Sequence, residues 1–271
     1  MEAVPGTARL RTGVTLPYLE QGDPAGPTLV LLHAWTESKH AFSRLMPRLP
    51  ADIHVLAIDQ RGHRDADKPT TGYALADYAE DVVAFLDAIG VDATVLLGSS
   101  SGGYVAQQVA VGQPDRVRAL VLVGAPIDLR GRAPFFDEVD ELTDPISRDW
   151  ARASLDWFEF AVPVPPGYLD DRVEDAVRTP AHAWKLALYG LADAEPPTLR
   201  RTITAPTLII HGGRDELLPE DTGRRLADAI PASRLLVYKD AAHLVLWEHP
   251  ERIARDVTEF MAGLSEQEPR P

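Results

Sequence analysis

Between an apolar, β-branched run (Ala93 to Leu97) and a helical pattern (Tyr104 to Gly112) the chain reads Gly98-Ser99-Ser100-Ser101-Gly102. This Gly-x-Ser-x-Gly pattern suits a sharp, strained turn from strand to helix with Ser100 at its apex. Small residues two positions to either side of Ser100 let strand and helix approach closely. Ser100 Oγ is then exposed at a helix N-terminus, where backbone N–H groups and the helix dipole favour a developing negative charge. The bland alternative is a Gly/Ser turn whose serine merely caps the helix. The strand before and the helix after the motif favour the strained turn.

The rest of the chain supplies a setting for it. Thr7 to Arg11 and Val14 to Glu20 read as a hairpin around Thr12-Gly13. Thr28 to His33, Ile53 to Ile58, Ala93 to Leu97, Arg118 to Val123 and Pro206 to His211 are continuous apolar runs of strand length, as expected of strands covered on both faces. Helical stretches are expected at Ser38 to Leu49, Leu75 to Ile89, Pro219 to Ile230 and Pro250 to Leu264, and a last strand at Arg234 to Tyr238. Alternating strands and helices argue for a parallel sheet flanked by helices. Between Arg130 and Pro197 the alternation stops. That segment is rich in proline and holds Trp150, Trp157 and Trp184. Its aromatic side chains suit either its own core or the lining of an apolar pocket. The expected division is a core domain of residues 1–129 and 198–271 and a helical cap of residues 130–197.

A serine hydroxyl needs a base within hydrogen-bond reach, and the base needs an orienting group. In an open parallel sheet such groups gather at the carboxyl ends of strands. Ser100, Asp215 and His243 all follow such ends, in the chain order Ser, Asp, His. His243 is the expected base and Asp215 the expected acid. Asp128, shortly after the preceding strand, is the alternative acid. The backbone N–H groups of Ser101 and Trp35 are the expected oxyanion donors. His33 and His249 read as structural. Trp35, Ser99, Trp184 and Leu244 are candidates to face the substrate.

With these stretches in view the chain resembles the α/β-hydrolase superfamily, in its group of small cofactor-free serine hydrolases with a helical cap. His33-Ala34-Trp35, Asp59-Gln60-Arg61-Gly62-His63, Gly98 to Gly103, Gly212-Gly213-Arg214-Asp215 and Ala242-His243 carry the resemblance. It implies a mostly parallel eight-stranded sheet flanked by helices, with a helical cap inserted after the sixth strand. Two departures stand out. Ala34 replaces the usual glycine of the oxyanion loop, and in Arg61-Gly62-His63-Arg64-Asp65-Ala66 the second glycine and the serine of the usual pattern are missing.

The activity this implies is hydrolysis of a carboxylic ester or lactone of a hydrophobic small molecule through an acyl-enzyme on Ser100. Alternatives on the same fold are a cofactor-free perhydrolase or haloperoxidase-like enzyme, a carbon–carbon bond hydrolase, or a small-molecule receptor. No cofactor or metal is expected. The chain has no cysteine, which excludes disulfides, thiolate metal sites and a cysteine nucleophile. A net charge of -14 opposes binding to nucleic acid or an anionic membrane. No signal peptide or membrane span is visible, so a cytoplasmic location is expected. Oligomeric state is not readable.

Overall fold

Apolar side chains alternate between the two faces of the central strands, and each set has its own helical cover. A computed structural model describes residues 2–131, 135–219 and 221–267. Among them eight strands form one sheet: β1 (Val4–Arg9), β2 (Thr15–Gln21), β3 (Thr28–Leu32), β4 (His54–Ile58), β5 (Thr94–Ser99), β6 (Val117–Val123), β7 (Thr207–Gly212) and β8 (Ser233–Tyr238). Their order is β1-β2-β4-β3-β5-β6-β7-β8. β2 pairs antiparallel with β1 and β4, and every pairing from β4 through β3 to β8 is parallel.

The helices are α1 (Leu75–Ile89), α2 (Ser101–Gly112), α3 (Phe136–Asp140), α4 (Arg148–Ala153), α5 (Pro166–Val177), α6 (Ala181–Ala192), α7 (Thr222–Ala229), α8 (Val245–Glu248) and α9 (Pro250–Gln267). On one sheet face Val30, Leu32, Leu56, Ile58 and Leu96 pack with Val82 and Phe85 of α1 and Val105 of α2. On the other, Leu29, Leu31, Val55, Ala57 and Leu97 pack with Phe42, Leu45 and, from α9, Ile253 and Val257. This is the period-two alternation of a strand buried on both sides.

Three local expectations need correction. Residues 38–49 form no α-helix but two short 3-10 turns, Lys39–Phe42 and Met46–Arg48. Pro47 has no N–H to give, and the segment bonds three residues back, as in Leu45 N to Phe42 O at 2.9 Å. β1 starts at Val4, so it takes in Pro5 and Gly6, residues that read as breakers. An edge strand tolerates a proline, and Gly6 leaves room for the Tyr18 ring, which a Cβ would meet at 2.2 Å. α7 is shorter than the expected 219–230 helix, because Pro219 takes part in a turn that its carbonyl closes with Thr222 N.

α3 to α6 lie between β6 and β7, where the aromatic, proline-rich segment falls, and they build a third apolar cluster. Phe136, Val139, Ala151, Val173, Trp184 and Leu188 belong to it. Residues 132–134 of this segment, and residues 268–271, lie outside the described residues.

The close approach of β5 to α2 positions the Ser100 turn. A Cβ on Gly98 would lie 2.4 Å from the Gly102 backbone, and one on Gly102 would lie 2.2 Å from the Leu32 carbonyl oxygen. Both neighbours are backbone, so neither can move aside cheaply. Gly102→Ala is therefore expected to lower the unfolding free energy by about 1–3 kcal/mol, the usual cost of overpacking. Urea denaturation would read this, and an unchanged midpoint would contradict the close approach.

Candidate active site

Ser100 has φ 47 and ψ -120, a conformation that a non-glycine residue holds only under strain. It is tied there by Ser100 N to Val123 O at 2.8 Å and Gly103 N to Ser100 O at 2.8 Å. The turn presents the hydroxyl to His243. Ser100 Oγ lies 3.0 Å from His243 Nε2, and His243 Nδ1 lies 2.9 Å from Asp215 Oδ2. An ionised Asp215 only accepts, so Nδ1 carries the proton and Nε2 is left to accept from the serine. The other carboxylate oxygen of Asp215 accepts from Leu217 N and Leu218 N, each at 3.0 Å. Burial works against the Asp215 charge. The hydrogen bond and charge of His243, the Leu218 N–H and His211 outweigh it and hold the carboxyl below its ordinary range. Asp128, the alternative acid, spends its carboxylate on Arg130 instead.

The two expected oxyanion donors are in different states. Ser101 N opens α2 beside Ser100. Trp35 N, from the loop after β3, donates to Ser101 Oγ at 2.7 Å. This donor is engaged by an internal hydroxyl, which the sequence reading missed.

Two buried carboxylates that sequence reasoning also missed brace the loops of this site. Glu37 accepts from Ala34 N at 3.0 Å and from Trp247 Nε1 at 2.7 Å, joining the Trp35 loop to α8. Glu248 accepts from Ala242 N, next to His243, and from Ala161 N and Val162 N of the segment between β6 and β7. No local motif announces either brace, since one arm of each reaches a group far along the chain: Trp247 for Glu37, and Ala161 and Val162 for Glu248.

A cavity opens over Ser100, Ser101 and His243, and Trp35, Trp184 and Leu244 are among the residues that line it. Ser99 is not part of its wall. It is 4% exposed at the end of β5, and neighbouring residues of a strand point to opposite sides. Trp35, Phe135 and Trp157 stack, with ring centroids 5.4 Å apart for Trp35–Phe135 and 4.9 Å for Phe135–Trp157. Trp184 meets Trp35 edge-on at 5.0 Å. Among the described residues no group of three or more His, Asp or Glu side chains is placed to hold a metal ion. No helix among them is long and apolar enough to cross a membrane.

The two sequence departures are accommodated. Ala34 is not among the described residues with positive φ, so its backbone conformation does not call for a glycine. Arg64, where a glycine is usual, keeps a left-handed backbone at φ 38, tied by an ion pair to Asp175 of α5. His33 holds the same region together. Its Nδ1 bonds to Ala34 O at 2.7 Å and its Nε2 accepts from Gln60 N at 3.0 Å.

The sequence from residue 29 to residue 256 matches the Alpha/beta hydrolase family. The chain is 30% identical over 245 residues to pimeloyl-[acyl-carrier protein] methyl ester esterase of Neisseria meningitidis serogroup B, covering 86% of this chain and 92% of that one. It is 30% identical over 254 residues to 2-hydroxymuconate semialdehyde hydrolase of a Pseudomonas species, covering 88% of each. The solved esterase RhEst1 from a Rhodococcus species superposes with a TM-score of 0.81 at 27% identity, over 97% of this chain and all of that one (100%). With its sheet order, its strained serine turn and these matches, the chain belongs to the α/β-hydrolase family.

The buried histidines beneath the site make stability depend on pH. Burial pushes His63 down to about 4, only partly offset by its backbone hydrogen bonds. Between the unfolded value near 6.5 and that value the unfolded chain binds a proton that the folded chain does not. The His63 contribution is thus complete above about pH 6.5 and lost as pH falls towards 4, a difference of about 3 kcal/mol. Denaturant unfolding across this range should show the loss, and His63→Gln should make the slope shallower. An identical slope in the variant would contradict a neutral buried His63.

Proposed function

We propose that the protein is a serine hydrolase that cleaves a carboxylic ester or lactone of a hydrophobic small molecule. The observation that carries this reading is the continuous hydrogen-bond chain from Ser100 Oγ through the His243 ring to Asp215. Ser100 Oγ attacks the carbonyl carbon while its proton passes to His243 Nε2. Asp215 keeps the imidazole in the required tautomer and stabilises its cation. The charge that develops on the carbonyl oxygen falls to the N–H groups of Ser101 and Trp35. Trp35 N–H serves there once the Ser101 hydroxyl gives up its bond. Collapse of the tetrahedral intermediate expels the alcohol, which takes the proton from Nε2. Water, deprotonated by Nε2, then releases the acid and restores Ser100.

The cavity wall supports the substrate class. Its stacked indole and phenyl rings favour an apolar, aromatic or cyclic portion. In this reading residues 130–197 act as the cap that shapes the pocket. The esterase relatives support ester chemistry in general.

A panel of chromogenic esters and aromatic lactones, offered to the wild type and to Ser100→Ala, tests the reading. Turnover by the wild type should fall by roughly 10⁵–10⁶-fold in the folded variant. Absence of turnover by folded wild type on every member, or turnover that survives in Ser100→Ala, would overturn it.

A further inference from the structure

The Trp35 backbone N–H carries a single hydrogen, and that hydrogen is directed at Ser101 Oγ, with 2.7 Å between N and O. A hydrogen bond weakens steeply away from its own line, so one N–H serves one acceptor well. The donor that an oxyanion needs is therefore taken by the side chain of the residue next to the nucleophile. Ser101 lines the same cavity as Ser100 and His243.

This bond is not what holds the Trp35 loop. Ala34 N donates to Glu37, which also accepts from Trp247 Nε1, and His33 Nδ1 bonds to Ala34 O. The Trp35 indole donates from Nε1 to Trp184 O at 3.2 Å, and its ring stacks on Phe135. With the indole and the preceding residue fixed by other groups, the Ser101 hydroxyl can leave without the loop following it. It also has a place to go. Ser101 lines a second, small cavity together with Gln60, His63 and Tyr78, and a turn about χ1 to another staggered well redirects Oγ.

Resting on the serine-hydrolase reading, we infer that the Ser101 hydroxyl is a plug of the oxyanion hole: it occupies Trp35 N–H in the free enzyme and is displaced when charge develops on the substrate's carbonyl oxygen. A neutral carbonyl that replaces a neutral hydroxyl gains little, whereas an oxyanion gains a charge-assisted bond. The plug thus withholds this donor from neutral ligands and yields it to the anionic intermediate. A water in its place would recover its bonds in bulk solvent on leaving. The Ser101 side chain stays inside the protein and regains less, so the plug slows turnover relative to a chain without it. Its hydroxyl acts through Trp35 N–H and is a positioning group, not a reacting one.

The wild type with an aryl trifluoromethyl ketone tests the displacement directly. Ser100 Oγ adds to the ketone carbon, the carbonyl electron pair moves to oxygen, and the serine proton passes to His243, which leaves an anion where the intermediate has one. In a crystal structure of that adduct Trp35 N should bond to the anion, with Ser101 Oγ out of its reach. An Oγ still bonded to Trp35 N would overturn the plug, and this result needs no variant to fold. Chromogenic esters give the kinetic test. In Ser101→Ala kcat/KM should rise, and the ketone should bind more tightly, each by about two- to tenfold, the size of one neutral hydrogen bond. Ser101→Thr, which restores the acceptor, should fall short of Ser101→Ala by the same factor. A bond that merely tethered the loop would give the opposite sign, a loss of both turnover and ketone affinity in Ser101→Ala. That loss, no change, or equal values for Ala and Thr in folded proteins would overturn the plug while ester turnover upheld the hydrolase. No ester turnover by any of the three folded proteins would overturn the hydrolase reading and the plug with it.

Discussion

The approach of β5 to α2 across Gly98 and Gly102 is the constraint on which the rest of the site depends. With no side chain at either position, the helix starts against the Leu32 carbonyl, and the chain between has no relaxed path to follow. Ser100 absorbs the difference in its backbone, at φ 47. Strain of this kind costs of order 1–3 kcal/mol and persists only where the surroundings over-determine it. Here β3, β5 and β6 do so together, because Ser100 N is bonded to the end of β6 and Gly102 is pressed against the end of β3. The same contact brings the Trp35 loop to Ser101 and so places both expected oxyanion donors beside one hydroxyl.

Around this turn the polar groups are arranged as braces. Glu37 spans from the Trp35 loop to Trp247, and Glu248 spans from the residue before His243 to the segment that follows α4. Each carboxylate is buried and satisfies backbone or indole N–H groups of two distant stretches, which is how a loop is held without regular structure. Burial raises the Glu37 carboxyl above its ordinary range, against the pull of Arg172, Ala34 N and Trp247. The helices between β6 and β7 are thereby attached to the Trp35 and His243 loops by charge as well as by aromatic packing. Arg64, Asp175 and Arg172 continue that attachment from the loop after β4 into α5.

Much of this was legible in the sequence because it rests on local patterns. Continuous apolar runs mark β3 to β7, and the helical spacing of Tyr78, Val82, Phe85 and Leu86 followed by Gly90 marks α1, whose ends match the expected span. The positions of Ser100, Asp215 and His243 follow from strand ends and chain order, and the structure brings all three together. What was not legible depends on contacts between distant stretches. The turns at 39–48 look helical until Pro47 and the packing of Phe42 and Leu45 decide otherwise. The Ser101 hydroxyl on Trp35 N and the two braces have no sequence spacing to announce them, and Ser99, buried at the end of β5, is not part of the cavity wall that its neighbour Ser100 reaches.

The central claim is that Ser100 becomes acylated during turnover. Rapid quenching of the enzyme with a chromogenic ester, followed by intact-protein and peptide mass measurement, tests it directly. The account predicts a transient adduct with the mass of the acyl group, located on Ser100 and gone once the ester is consumed. Full turnover with Ser100 unmodified at every quench time, in an assay whose product burst shows that an intermediate accumulates, would contradict it; so would an adduct on any other residue.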